Sequence, residues 1–233
     1  MCVHLAKNPN PKHNPHKGDC FNREHGWPKS WWGGFSKGHN AQTDLHELWA
    51  ADGYVNGLRG NLPLGLVSNP SYTSSNGGKI GPCTATGYTQ GDWLFWALWW
   101  TLTITITITI TITLTLTLTL TIILTLTITL TITLTLTLIQ GDCFEPSDEY
   151  KGDLARSYLY ISTTYDGVFT CCDTPATNGS HIKPWLETLL RKWHGSDPVS
   201  TYEQERNEAV FGIQNNRLAF IDHPEWVDLI PDF

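Results

Sequence analysis

The chain has 233 residues, a formal net charge of −7 and an isoelectric point near 5.6. This length suffices for one well-buried domain or two small ones, and we expect one. The acidic balance excludes nucleic-acid binding that depends on bulk positive charge, so a nucleic-acid partner would require a local basic groove.

Six cysteines are present, at positions 2, 20, 83, 143, 171 and 172. They form no CxxC pair and no Cys/His set at zinc spacing, so we predict no structural zinc site. The even number allows disulfides, but their connectivity cannot be deduced from sequence, and the redox compartment stays open. A vicinal pair such as Cys171 and Cys172 rarely forms an unstrained bridge.

The first half of the chain is rich in Gly, Pro, Asn and Trp, with short apolar runs such as Asp44 to Leu48. This pattern predicts loops joined to brief strands. Residues 1–20 contain no continuous apolar segment of the kind that secretory signals carry.

A carboxylate and an imidazole are adjacent at Glu24 and His25, and Asn56 follows some thirty positions later. Hydrolysis of a phosphodiester needs a base to activate water and a cation to stabilise the leaving oxygen. Glu and Asn supply the oxygen ligands that a hard cation such as Mg²⁺ accepts. In a simpler interpretation, Glu24 pairs with Arg23 or a lysine, and Asn56 caps the chain before a glycine.

Residues 101–138 alternate without a slip: every odd position is Thr except Ile123, and every even position is Leu or Ile. This period of two predicts β structure, although a single strand of this length would extend roughly 120 Å. Positions 93–139 contain no Gly, Pro, Asn or Asp that would make a turn. We therefore expect aggregation of this tract rather than insertion into a membrane.

The borders of the tract duplicate each other, since Gln-Gly-Asp stands at 90–92 and again at 140–142. We interpret residues 93–142 as a low-complexity insert. Residues 1–92 and 143–233 would then form one discontinuous domain.

Three helices are predicted in the second half. Helical spacing of apolar residues predicts the first within 150–166, and a second begins near Pro184 and ends at Gly195. Ser200 and Glu203 have the spacing of a capping box and begin a third. With the strands of the first half, the expected fold class is α+β.

The motifs outside the tract are similar to those of a known family. They are Gly18-Asp19-Cys20-Phe21-Asn22-Arg23-Glu24-His25, Trp27-Pro28-Lys29-Ser30-Trp31, Thr43-Asp44-Leu45-His46, Asp52-Gly53-Tyr54-Val55-Asn56-Gly57, Arg59-Gly60-Asn61-Leu62-Pro63, Phe144-Glu145-Pro146, Lys151-Gly152-Asp153-Leu154-Ala155-Arg156, Asp197-Pro198-Val199-Ser200, Arg206-Asn207-Glu208 and Phe220-Ile221-Asp222-His223-Pro224-Glu225. In this order they resemble the endonuclease I family of nonspecific nucleases, which have the ββα-metal (His-Me finger) site.

The resemblance implies a set of roles. His25 would be the general base, and Glu24 and Asn56 would hold Mg²⁺ or another divalent cation. The substrate would be DNA, with RNA as a second substrate, and the products would carry 5′-phosphates. The family's members imply a secreted or periplasmic location, and a membrane partner is not expected.

Three further residues are candidates for contact with phosphate or for support of the site. The Arg59 guanidinium would donate hydrogen bonds to two oxygens of a phosphate, or it would pair with Asp44 or Asp52. His46 would support the site or ligate the metal, with Asp44 beside it. Glu47 stands where the family usually has His or Asn, and its charge would weaken phosphate binding or add a metal contact.

Packing and hydrogen bonding explain several other residues. We interpret Arg156 and Asn207 as buried residues that hold helices to the site. Trp27, Trp31, Trp32 and Trp49 could stack on bases, but we expect them to pack in the core.

Two competing functions remain open from the sequence. The chain could be a nuclease relic, from a pseudogene or a faulty gene model, that binds nucleic acid weakly at most. Alternatively, it could be a membrane-anchored or fibrous protein in which the tract is the functional element.

Overall fold

Strands and loops of the first half and helices of the second half together form a mixed α+β fold, as the sequence predicts. The computed structural model describes residues 3–4, 20–33, 40–84 and 141–233. The Thr/Leu/Ile tract, and with it the prediction of its β structure, lies outside the described residues.

The first sheet carries the Glu24-His25 motif. Its strands β1 (Val3–His4), β2 (Cys20–His25) and β3 (Leu48–Asp52) are antiparallel, and His25 lies opposite Leu48. Helix α1 (Gly53–Arg59) follows β3 directly, because the Asp52 carboxylate accepts hydrogen bonds from the first free amides of the helix. The order is therefore strand, strand, helix.

The second sheet joins the two sides of the tract. It consists of β4 (Tyr72–Thr73), β5 (Lys79–Pro82) and β6 (Asp142–Glu145), all antiparallel. Pro82 lies opposite Asp142, and a disulfide joins Cys83 to Cys143. The chain therefore leaves the sheet and returns to it at neighbouring backbone positions. The described residues up to 84 and from 142 onward belong to one compact unit.

The three predicted helices are confirmed as α2 (Lys151–Thr164), α3 (Pro184–Ser196) and α4 (Thr201–Gln214). Pro184 occupies the first turn of α3, and Ser200 caps α4 in a capping box with Glu203. The strands β7 (Thr177–Asn178) and β8 (His181–Ile182) and the short helix α5 (Ala219–Asp222) complete the regular elements. In the described part of the chain, 3-10 segments span Lys29–Trp32, Asn40–Gln42, Asp148–Tyr150 and Pro224–Leu229.

The core lies where α2 and α3 pack against each other and against the tryptophans that follow β2. Trp27 and Trp32 are fully buried, and Trp31 is nearly so, which confirms their packing role. Trp27 contacts Tyr158 of α2, so the loop after His25 is anchored to the helical half.

Arg156 links α2 to α4 by an ion pair that is inaccessible to solvent. Its Nε and Nη2 atoms donate to the two Glu203 oxygens at 2.6 and 2.7 Å. Asn207 donates to the Leu218 carbonyl and accepts from the Leu218 amide, at 3.3 and 2.9 Å. The predicted structural role of Arg156 and Asn207 is thus confirmed.

Asp153 shares this ion pair, and a pH effect on stability follows. Burial, together with the charges of Glu203 and Asp197, raises its pKa to about 7, although Arg156 opposes the shift. The folded protein therefore binds a proton that the unfolded chain releases above its normal pKa of 3.8, so stability falls as pH rises from about 4 to 7. We expect Asp153→Asn to reduce the change of the melting temperature with pH over this interval.

Thermal unfolding between pH 4 and 7 checks this prediction. Asp148→Asn is the matched control, because Lys151 lowers the pKa of the exposed Asp148, so its effect on stability lies below the normal pKa of 3.8 and the slope between pH 4 and 7 should not change. An unchanged slope for Asp153→Asn would show that this carboxyl is ionised throughout the range.

The vicinal cysteines Cys171 and Cys172 form a disulfide, although such pairs rarely do. Cys172 adopts the left-handed backbone conformation, with φ of 76°, which few non-glycine residues do. Among the described residues, no helix is both long and apolar enough to cross a membrane.

Candidate nuclease site

Glu24 and Asn56 line the same cavity, although 32 positions separate them in the sequence. The cavity has a volume of about 730 Å³. Glu24 reaches it from β2 and Asn56 from α1, which β3 places beside β2. The strand-strand-helix order thus brings two oxygen donors together.

The Asn56 side chain is oriented by the backbone of β2. Its Nδ2 atom donates to the Arg23 carbonyl at 3.2 Å. The amide oxygen is consequently the atom that can bind a ligand in the cavity.

Arg59 joins α1 to the end of β2 from a buried position. Its guanidinium forms an ion pair with Glu24 and donates to the carbonyls of His25 and Gly26 at 2.7 and 2.6 Å. A further bond goes to the Tyr158 hydroxyl at 3.1 Å. With only 4% of its surface exposed, Arg59 has the geometry of a supporting residue rather than of a phosphate contact. Its pairing with Glu24 was not predicted.

Glu24 is only partly accessible, which affects its charge. Burial raises its pKa, and the charge and hydrogen bond of Arg59 oppose that shift. Lys29 opposes it as well. A cation in the cavity would favour the ionised carboxylate further.

His25 follows Glu24 directly, so the two side chains leave the strand on opposite faces. The His25 ring is 6% exposed and packs edge-on against Trp32, at 5.6 Å between centroids. The described residues that line the cavity include Glu24 and Asn56 but not His25. The structure therefore brings the two predicted metal ligands together and places the predicted base beside them, on the other face of β2.

Glu47 is the nearest charged partner of His25. His25 Nδ1 lies 3.0 Å from Glu47 Oε1 and 2.9 Å from Oε2, and the Glu47 side chain is inaccessible to solvent. The single N–H at Nδ1 cannot donate a well-aligned hydrogen bond to both Glu47 oxygens. Glu47 Oε2 has no hydrogen-bond partner among the described residues. The Glu47 carboxylate thus contacts the His25 imidazole. Neither of these two residues lines the cavity, and Asn56 does not take part in the contact.

The pair is strongly affected by burial. Burial raises the pKa of Glu47 well above its usual range. It lowers the pKa of His25 to about 4, and the charges of Lys29 and Arg23 act in the same direction. His25 is consequently a neutral imidazole near pH 7, the form that can accept a proton.

His46 and Asp44 lie in a buried polar network between β3, α2 and α4. Asp44 accepts from the hydroxyls of Tyr160 and Tyr165, both at 2.9 Å, and from the Gln214 amide. His46 is fully buried and contacts the Asn216 carbonyl through Nε2. Neither residue lines the cavity, so their position is that of residues that support the fold around the site.

Within the described residues, no group of three or more His, Cys, Asp or Glu side chains is arranged to hold a metal ion. Glu24 and Asn56, the two predicted ligands, both line the cavity, and Asp52, whose carboxylate caps α1, lines it as well. Sequence reasoning missed the contact of Glu47 with His25, because it joins residues 22 positions apart and leaves no local signal in the sequence.

Comparison with known families places this site in context. The family model described as Endonuclease I matches residues 4–93 and 133–225. The chain belongs to the endonuclease I family. The predicted resemblance is confirmed, and the matched ranges omit residues 94–132 of the tract.

Two curated relatives are similar over most of the chain. An extracellular ribonuclease of Bacillus amyloliquefaciens is 30% identical over 215 residues, which is 90% of this chain and 53% of the relative. An extracellular ribonuclease of Bacillus subtilis (strain 168) is 29% identical over 215 residues, 90% of this chain and 54% of the relative. This endonuclease I chain thus spans about half the length of the curated relatives it matches.

Proposed function

We propose that the chain is a metal-dependent endonuclease that hydrolyses the phosphodiester bonds of DNA and RNA without base readout, leaving 5′-phosphates. One observation carries the proposal: Glu24 and Asn56, at positions that match the family's motifs, line one cavity at a strand-strand-helix unit. The names of the two relatives favour RNA as a substrate and an extracellular location.

The residues of the cavity fit a hard divalent cation such as Mg²⁺. One carboxylate and one amide oxygen are the ligands that such a cation accepts while it keeps several waters. When bound, the cation would supply Lewis-acid stabilisation of charge on the scissile phosphate. Arg59 would hold the Glu24 carboxylate in place, and the Arg23 carbonyl would orient the Asn56 amide.

His25 would accept the proton of the attacking water. Because Nδ1 faces Glu47, Nε2 is the atom left for this task. Glu24 and His25 are consecutive, so the substrate phosphate would approach across the end of β2, between the cavity and the imidazole. Proton acceptance at Nε2 requires the hydrogen on Nδ1, where it donates to Glu47.

Glu47 is expected to act as a positioning residue for His25. We predict that Glu47→Leu lowers kcat roughly 10- to 100-fold with little change in KM, because the ring loses the group that orients it. Glu47→Gln retains an oxygen for the Nδ1 hydrogen and should recover part of the activity. Leu in place of a buried, partly unsatisfied carboxylate should not lower the melting temperature. Equal activities for the Leu and Gln variants would refute the positioning role.

We also propose that residues 1–92 and 143–233 form one discontinuous domain, with 93–142 as an insert outside it. The pairing of Gly81 with Cys143 and the disulfide between Cys83 and Cys143 support this, because they hold the two sides of the tract together. Asp142, the last residue of the proposed insert, is the first residue of β6. Deletion of residues 93–142 leaves Asp92 in place of Asp142 before Cys143.

The test is a nuclease assay on the full chain and on the variant that lacks residues 93–142, with Mg²⁺ titrated in and then removed by EDTA. We expect the shortened chain to be the more soluble form, with activity that depends on Mg²⁺. Glu24→Gln and Asn56→Ala should raise the Mg²⁺ concentration needed for half-maximal activity. A folded but inactive shortened chain would favour the nuclease relic, and activity that survives EDTA would refute metal dependence.

A further inference from the structure

Three aromatic side chains in the cavity are open to solvent. Phe21, Tyr150 and Tyr202 are 45%, 38% and 57% exposed, and all three line the cavity that Glu24 and Asn56 share. They come from β2, from the 3-10 segment before α2 and from the first turn of α4. Large aromatic surfaces gathered in a cavity of this size are typical of a ligand site rather than of a core.

The charged side chains that line the cavity do not favour binding of the phosphate backbone of a duplex. Its described lining carries two carboxylates, of Glu24 and Asp52, and one cation, Arg59. The Arg59 guanidinium already bonds to Glu24 and to two backbone carbonyls. Affinity for duplex nucleic acid comes largely from Lys and Arg at phosphates, and this lining cannot supply it.

The cavity is also lined by small polar groups from the turn after β4. Ser75 and Asn76 are exposed there, and Ser74 holds the turn by donating to the Gly78 carbonyl at 3.0 Å. Hydroxyl and amide groups can bond to the edge of any base without selecting one. A flat aromatic ligand with polar edges suits a lining that combines aromatic rings with small polar groups.

From these observations we propose that the cavity binds an unpaired nucleobase by stacking on Tyr202 and Tyr150, which makes single-stranded nucleic acid the preferred substrate. The inference rests on the proposed nuclease function, because the same cavity holds the two metal ligands. A base within a duplex is unavailable for stacking until it is unpaired, which costs free energy. Stacking tolerates every base, so the preference for single strands needs no sequence readout.

Binding measured without cleavage tests the proposal. The His25→Ala variant of the full chain is titrated with fluorescent single-stranded DNA, single-stranded RNA and a DNA duplex of the same sequence and length, in Mg²⁺ at constant salt. We expect both single strands to bind more tightly than the duplex. Adding Tyr202→Ala should weaken single-strand binding about 10-fold and leave duplex binding unchanged.

Two further variants test whether the aromatic ring of Tyr202 is responsible for the effect. Tyr202→Phe keeps the stacking surface and should bind single strands as the parent does. Trp226→Ala removes an equally open aromatic residue, 44% exposed, that stacks on His223 and does not line the cavity, so it should have no effect.

The outcomes separate the inference from the proposed function. Equal binding of single strands and duplex, equal loss in the Ala and Phe variants, or no binding of any strand would overturn the stacking site. Cleavage by the unsubstituted chain is measured in parallel. Cleavage with no preference for single strands overturns only the inference, whereas Mg²⁺-dependent binding of single strands without any cleavage overturns the nuclease function and leaves the stacking site standing.

Discussion

Replacing His25 with alanine is expected to lower kcat/KM for phosphodiester hydrolysis about 10²- to 10⁴-fold, the contribution typical of a positioned general base. The imidazole is neutral near pH 7 because burial lowers its pKa to about 4, and Glu47 fixes its orientation. Among the described residues, His25 is the histidine whose two neighbours in the chain, Glu24 and Gly26, both line the cavity. The measurement is the initial rate of oligonucleotide cleavage at saturating Mg²⁺.

A surface histidine supplies the control. His181 lies in β8, and its side chain is 64% exposed beside Asp166, so His181→Ala should cleave at the normal rate. If His25→Ala remains active while Glu24→Gln loses activity, Glu24 would be confirmed as essential and the base would have to be another group.

Arg59→Met is expected to destabilise the fold by about 3–5 kcal/mol, since it removes one partner of a buried ion pair. The buried His25 carbonyl would lose the donor that Arg59 supplies as well, whereas the Gly26 carbonyl would keep the Tyr158 hydroxyl. Chemical denaturation at neutral pH measures the change. Binding of the cation in the cavity should be weakened as well, because Arg59 of α1 would no longer hold the Glu24 carboxylate in place.

Arg217→Met is the matched control for this prediction. Arg217 pairs with Glu208 at the surface, where solvent screens the charges and a salt bridge contributes little to stability. Similar losses for the two variants would show that Arg59 is no more important to the fold than an exposed arginine.

Much of the helical half was predictable from sequence, because its signals are local. Pro184 at the start of α3 and the Ser200-Glu203 capping box act within one helical turn, and both appear as predicted. The family assignment was also available, since several short motifs occur in the same order. The bridge between Cys171 and Cys172 was missed, because it depends on a backbone conformation that sequence does not specify.

The amino-acid sequence by itself determined the helices, the family and the residue types that could hold a cation. The tertiary structure decided which of these residues meet: the register of β2 and β3 sets Leu48 opposite His25 and leaves Glu47 against the imidazole, while the docking of α1 brings Arg59 to Glu24. Those contacts join residues more than twenty positions apart. They depend on strand pairing and on helix packing, which no pattern within a few residues can encode.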